Sequence, residues 1–305
     1  MRPVAHVSVQ GVRAVEIGVT DRALAANFFT AVWNLDVAGE QDETIYFRGT
    51  SCARFILSVR QTERAELIRV VFDAATRDAV KALHAQAGAH GGIDVQSPRA
   101  LTWPGDGYGF GCKDPEGRNF AVVTGVADHA DSGDRPDQPR KISHVNLNSG
   151  ASDAAFAFMR DALGFRLADQ TKKMRFLGCN SDHHSVVLAF SNMATLNHIA
   201  FEMPDIDSLM RGVGRMRDHG YPIEWGPGRH GPGNNVFAYF VGPEQLPLEY
   251  TTDMQQCDEN YRGKPPEQWT WPAGRLDHWG LTPGPSARFE TTQALFRFSS
   301  DGHRL

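Results

Sequence analysis

The stretch "AVEIGVTDRALAANFFTAVWNLDV", residues 14–37, has a second copy in "HVNLNSGASDAAFAFMRDALGFRL", residues 144–167. Each reads as a strand followed by a helix. Laid together without gaps, Ala14 falls on His144, Phe28 on Phe158 and Trp33 on Leu163, a constant offset of 130. A supersecondary unit that recurs at fixed spacing marks an internal duplication, and that repeat decides the fold.

Two more pairs extend it. "IRVVFDAATRDAVKALHAQAGAHGG" from Ile68 matches "NHIAFEMPDIDSLMRGVGRMRDHGY" from Asn197 at an offset of 129. Both read as an alternating strand, an acidic turn and a helix that ends in glycine. "CKDPEGRNFAVVTG" matches "FVGPEQLPLEYTTD" at an offset of 128 through a shared Pro-Glu turn. The organisation implied is α+β, with four βαβββ modules near residues 10–62, 66–127, 140–190 and 195–252 that pair into two half-barrel domains. We expect an N-terminal domain over 1–127, a polar Asp- and Pro-rich linker over 128–141, and a C-terminal domain over 142–305. A tail from about residue 253 carries Trp269, Trp271 and Trp279, which are expected to pack it back onto the body.

The two copies differ where chemistry is concerned. His144, His198 and Glu249 in the second copy stand where the first has Ala14, Arg69 and Ala121. Two imidazoles and one carboxylate form the facial set suited to Fe(II), which leaves coordination positions open for substrate and dioxygen. The substitutions place a metal in the C-terminal half alone.

Composition narrows the function classes. The 305 residues are 41% hydrophobic and 22% charged, ordinary globular usage, with a formal net charge of −5. No basic run points to nucleic acid or to an anionic membrane, and no apolar run approaches a membrane span. The N-terminus lacks the apolar core of a signal peptide, and four scattered cysteines (Cys52, Cys112, Cys179, Cys257) form no CxxC pair. Reduced thiols and a cytoplasmic protein are expected. "YGFGCKDPEG" has three glycines but reads as a hairpin turn rather than a phosphate-binding loop. His84, His90 and His219 are expected at helix ends, where the helix dipole favours a cation.

Through "ISHVNL", "CNSDHHS", "LNHIAFEM" and "RHGPGNNVFAYFVGPEQLPLEY", the chain resembles the type I extradiol ring-cleavage dioxygenases of the vicinal oxygen chelate superfamily. The resemblance runs from residue 10 to about 252. It implies that fold, with the metal only in the C-terminal domain, and a catecholic aromatic substrate cleaved with O₂ beside its vicinal hydroxyls. By resemblance, His144, His198 and Glu249 match the ligands of Fe(II), with Mn(II) the alternative ion. His184 matches the family's active-site histidine, with its neighbour His183 the other candidate. His230 and Tyr239 match the pair that borders the bound catecholate, nine residues apart and with Glu249 ten residues beyond. The roles implied are His184 as general base and acid, Tyr239 as hydrogen-bond donor to a substrate oxygen, and His230 as its stabiliser. A homo-oligomer is expected, since symmetric assembly is common among soluble enzymes. The alternatives are another metal-dependent enzyme of the same fold, glyoxalase- or isomerase-like, and a ligand-sequestering protein without catalysis.

Overall fold

The computed structural model describes residues 7–130 and 133–305; the N-terminal residues through His6, and 131–132 of the expected linker, lie outside them. The first module is β1 (Gly11–Val19), α1 (Arg22–Asn27, continued by a π-helical turn over Phe28–Val32), β2 (Asp36–Gln41), β3 (Thr44–Arg48) and β4 (Leu57–Gln61). The second is β5 (Glu66–Asp73), α2 (Arg77–Ala89), β6 (Arg99–Ala100), β7 (Tyr108–Lys113) and β8 (Asn119–Thr124). The third is β9 (Lys141–Ser149), α3 (Ser152–Asp161), β10 (Arg166–Gln170), β11 (Met174–Gly178) and β12 (Val186–Phe190). The fourth is β13 (Leu196–Glu202), α4 (Ile206–Asp218), β14 (Trp225–Arg229), β15 (Val236–Val241) and β16 (Pro247–Thr252), followed in the tail by α5 (Ala287–Thr292).

These strands form two eight-stranded sheets, ordered β2-β3-β4-β1-β5-β8-β7-β6 and β10-β11-β12-β9-β13-β16-β15-β14. Each strand of the first sheet has its counterpart eight strands later at the same place in the second, so the sequence repeat is also a repeat of topology. The four βαβββ modules are those expected. Among the described residues no helix is long and apolar enough to cross a membrane. The glycine-bearing stretch is the β7–β8 hairpin, as read from the sequence.

Helix starts follow local chemistry in four cases. Asp21, Thr76, Asp205 and Ser286 each accept a backbone N–H three residues on, the usual N-cap bond. No such bond caps α3 from its own N-cap, Ala151. Instead Glu116, from the other half, accepts the N–H groups of Gly150 and Ala151 at 2.7 and 2.9 Å.

One apolar core joins the two halves. Trp33, fully buried at the end of the first module's helical segment, stacks on Tyr250 of β16 at 3.9 Å and meets Phe201 and Phe240 edge-on. Reciprocally, Phe158 of α3 stacks on Phe120 of β8, and Phe165 packs against Phe72 of β5. Each of these helical segments packs on a strand of its own sheet, α1 on β4 and α3 on β12, while its aromatic side chains reach across to the other half. Only His90 and His219 sit at helix C-termini. His84 instead lies inside α2 with its ring edge-on to Phe110, because α2 runs on to Ala89 before it ends.

Candidate metal centre

Strand register brings the distant ligands together. β9, β13, β16 and β15 are consecutive neighbours. His144 lies opposite Ala200, Ala200 opposite Glu249, and Glu249 opposite Tyr239, one row across four strands. His198, two residues before Ala200, points to the same face by the alternation of a strand. Three residues scattered over the second half of the sequence therefore meet on one patch of sheet.

His144 Nε2 and His198 Nε2 are 3.3 Å apart, and Glu249 Oε2 stands 3.2 and 3.0 Å from them. Ligands at right angles about 2.1 Å from a common ion are roughly 3 Å from one another. The triangle has that size on all three edges. Glu249 is wholly buried, yet neither of its oxygens has a hydrogen-bond donor in good geometry. A buried carboxylate without donors needs a cation. Among the described residues, this is the group of metal-type donors that converges on one point. The residues fit a divalent ion.

An outer partner sets the tautomer of His198. His198 Nδ1 lies 2.8 Å from the Asn197 side-chain oxygen, which also accepts from Gln293 of the tail at 2.9 Å. The Asn197 amide in turn donates to Asn148 at 3.0 Å. An acceptor at Nδ1 puts the proton there and leaves the Nε2 lone pair for the metal. Burial would raise the Glu249 carboxyl, but the His144 and His198 imidazoles outweigh it and hold it well below the usual carboxylate range. Burial lowers His198, against the pull of Glu249.

The three further candidates surround this set. His230 Nε2 and the Tyr239 hydroxyl are hydrogen-bonded at 2.9 Å, with His230 3.9 Å from Glu249 Oε1. The His184 ring lies 4.5 Å from that of His144, and Tyr239 meets His198 edge-on at 5.0 Å. Phe237 stacks on His230, Trp225 stacks on Tyr239, and Phe289 of α5 closes the edge of Tyr239. Burial pushes the Tyr239 phenol well above its ordinary value, and the charge of Glu249 adds to this. Burial also pushes His230 down to about 4 and His184 well below its ordinary range. At neutral pH the phenol keeps its proton and both imidazoles are uncharged. Gly233, in the left-handed region at φ +78°, passes so close to His184 that a Cβ there would lie 2.8 Å from the ring.

Of the two adjacent histidines read from the sequence, His184 faces the metal set and His183 is fully buried behind it. Several other residues around the site carry no signal in the sequence, among them Asp169 and Tyr261, which lie behind His183. Asn197 adjoins a ligand and Gln293 comes from the tail, but no spacing links them. Trp269 and Trp271 stack beside Gly231, so the tail does fold back on the loop that holds His230. A cavity of about 570 Å³ lies there, lined by Gly231, Asn234, Tyr261, Lys264, Trp269 and His278 among others; none of the three metal ligands lines it. In the first half, Arg69 stands where His198 stands in the second. It pairs with Glu16 at 2.8 Å and donates to the Arg304 carbonyl at 2.9 Å, so no cation is needed there.

The family model described as "Glyoxalase/Bleomycin resistance protein/Dioxygenase superfamily" matches residues 141–250, the third and fourth modules. Metapyrocatechase 2 of Cupriavidus necator is 29% identical over 292 residues, which cover 88% of this chain and 86% of that protein. The Mn(II)-bound glyoxalase from Novosphingobium aromaticivorans superposes with a TM-score of 0.87 at 32% identity, over 96% of this chain and 99% of that one. Homoprotocatechuate 2,3-dioxygenase from Arthrobacter globiformis shares the fold, with a TM-score of 0.83 at 21% identity over 98% and 96% of the two chains. With its four repeated modules and, among the described residues, a metal-type donor set in the second pair alone, this chain belongs to the glyoxalase, bleomycin resistance protein and dioxygenase superfamily.

Proposed function

We propose that this chain is an extradiol ring-cleavage dioxygenase, dependent on Fe(II) or Mn(II), that opens a catecholic aromatic ring beside its vicinal hydroxyls and incorporates both atoms of O₂. The observation that carries this reading is the hydrogen-bonded His230–Tyr239 pair, with His184, around a two-histidine, one-carboxylate set. An ion held by His144, His198 and Glu249 would supply open positions for two vicinal oxygens and dioxygen, and with them a way around the spin barrier between O₂ and a closed-shell ring.

The chain's own residues handle the protons. His184, uncharged because it is buried, is a base for a substrate hydroxyl. Tyr239 keeps its proton and is a donor to an oxygen in the site. His230 holds the phenol in place through its 2.9 Å hydrogen bond and stays neutral above about pH 4. The metal chemistry is assigned to residues 142–305, with 1–127 as a partner domain that binds no metal. Four unpaired cysteines accord with a cytoplasmic enzyme, and we assign it a homo-oligomeric state that gel filtration checks.

Oxygen uptake by anaerobically purified protein, loaded with Fe(II) or with Mn(II), against a panel of catechols is the test. Uptake stoichiometric with a coloured ring-opened product, lost in His198→Ala, is expected. A second reading rests on the 32% identical Mn(II)-bound neighbour called a glyoxalase. Isomerisation of a thiol–aldehyde adduct by the loaded protein, without oxygen uptake on any catechol, would establish that reading in place of the first.

A further inference from the structure

Behind His184 runs a buried chain of hydrogen bonds that the proposed chemistry does not yet use. His184 Nδ1 lies 3.0 Å from His183 Nδ1, and His183 Nε2 lies 2.7 Å from Asp169 Oδ2. Asp169 also accepts the Tyr261 hydroxyl at 2.9 Å and the Lys264 backbone N–H at 2.5 Å. Asp169 and His183 are fully buried and His184 is 2% exposed, so no water competes for these bonds. Tyr261 and Lys264 belong to the tail, which thereby takes part in the site.

The direction of the chain follows from what each group can do. A carboxylate can only accept, so His183 Nε2 must carry a proton. A neutral His183 then has only a lone pair at Nδ1, and the facing nitrogen of His184 must be the donor. His184 is left with its proton on Nδ1 and a lone pair on Nε2. A charged His183 would instead donate from both ring nitrogens and leave His184 with its proton on Nε2, which the ring-nitrogen spectrum tells apart. We propose that Asp169 and His183 are positioning residues that fix the tautomer and orientation of His184, so that its Nε2 is ready to accept a proton in the site. This rests on the dioxygenase reading for its catalytic consequence, though not for the tautomer itself.

The test uses the full-length, metal-free protein with ¹⁵N-labelled histidine at pH 8, where long-range ¹H–¹⁵N spectra show which ring nitrogen of His184 is protonated. The expected result is Nδ1–H in the wild type. In Asp169→Asn, a side-chain amide can donate to His183 Nε2, turn both imidazoles over and give Nε2–H at His184. With metal restored, that variant should lose about 100-fold or more in kcat with KM little changed, while Tyr261→Phe loses about tenfold or less. Nε2–H at His184 in the wild type would overturn the proposal, as would an unchanged tautomer in a folded Asp169→Asn. Should Asp169→Asn fail to fold, the wild-type spectrum alone decides. A wild type that shows Nδ1–H but cleaves no catechol would refute the dioxygenase reading and leave the tautomer assignment standing.

Discussion

Glu116 and Glu244 occupy the same place in the two copies of the repeat, and each binds the start of the other half's helix. Glu116 accepts the N–H groups of Gly150 and Ala151, ahead of α3. Glu244 accepts those of Thr20 and Asp21, ahead of α1, at 2.7 and 3.0 Å. A carboxylate at a helix N-terminus satisfies orphan donors and meets the positive end of the helix dipole. The two halves are therefore tied by a reciprocal exchange of caps, beside the aromatic core that they share.

The exchange is unequal, and stability should show it. Glu244→Ala should cost about 1 kcal/mol, the ordinary loss of a cap. Glu116 also pairs with Arg118, a fully buried cation, and accepts from Ser149 at 2.5 Å. Glu116→Ala leaves that buried charge short of a partner and should cost about 3 kcal/mol. Urea unfolding of both variants measures the difference, and equal losses would show that the Arg118 pairing adds nothing to the cap.

Glu249 matters most to the metal-loaded form of the protein. Without metal its carboxylate has only the His144 and His198 imidazoles, at 3.2 and 3.0 Å, so Glu249→Gln should cost the metal-free protein about 1 kcal/mol. With Fe(II) or Mn(II) at 100 times Kd, the wild type should gain about 2.7 kcal/mol, and the variant little or none. Thermal melts with and without the ion read both quantities. A variant stabilised as strongly as the wild type would remove Glu249 from the ligand set.

Tyr239→Phe keeps the ring that packs among Trp225, Phe237 and Phe289 and removes only the hydroxyl bonded to His230. A loss of stability of about 1 kcal/mol is expected, one hydrogen bond. A hydroxyl that only fills space would leave kcat unchanged. A proton donor in the reaction should lower kcat by roughly 100-fold at nearly constant KM. Steady-state oxygen uptake separates the two.

Cys112 lies fully buried on β7, and burial pushes its thiol from 9.0 up to about 12. In the unfolded chain the thiol loses its proton near 9.0, while the folded one holds it to about 12, so between these values the unfolded state binds fewer protons. Folding stability should be fully present below pH 9.0 and fall as pH rises through that window, by roughly 1.4 kcal/mol per pH unit from this group. The slope of stability against pH from 9.5 to 11 should be shallower in Cys112→Ala than in the wild type. Identical slopes would show that the thiol is not held protonated.

The sequence by itself carried the repeat, and with it the four modules, the place of one helix in each and the contrast of His144, His198 and Glu249 with Ala14, Arg69 and Ala121. These were legible because strand alternation, helix periodicity and duplication are local or translational patterns, present along the chain before any contact forms. Only the tertiary structure decided how the pieces answer one another. Strand register set the triangle of about 3 Å edges, since a shift of one residue would turn His198 to the opposite face. Trp33 against Tyr250, the exchanged Glu116 and Glu244 caps, and the Asp169–His183–His184 chain with Tyr261 join residues whose separations follow no period. Burial and neighbouring groups did the rest: with water excluded, the His184 imidazole stays a neutral base and the Tyr239 phenol a protonated donor, while the His144 and His198 imidazoles keep the buried Glu249 carboxylate ionised against burial.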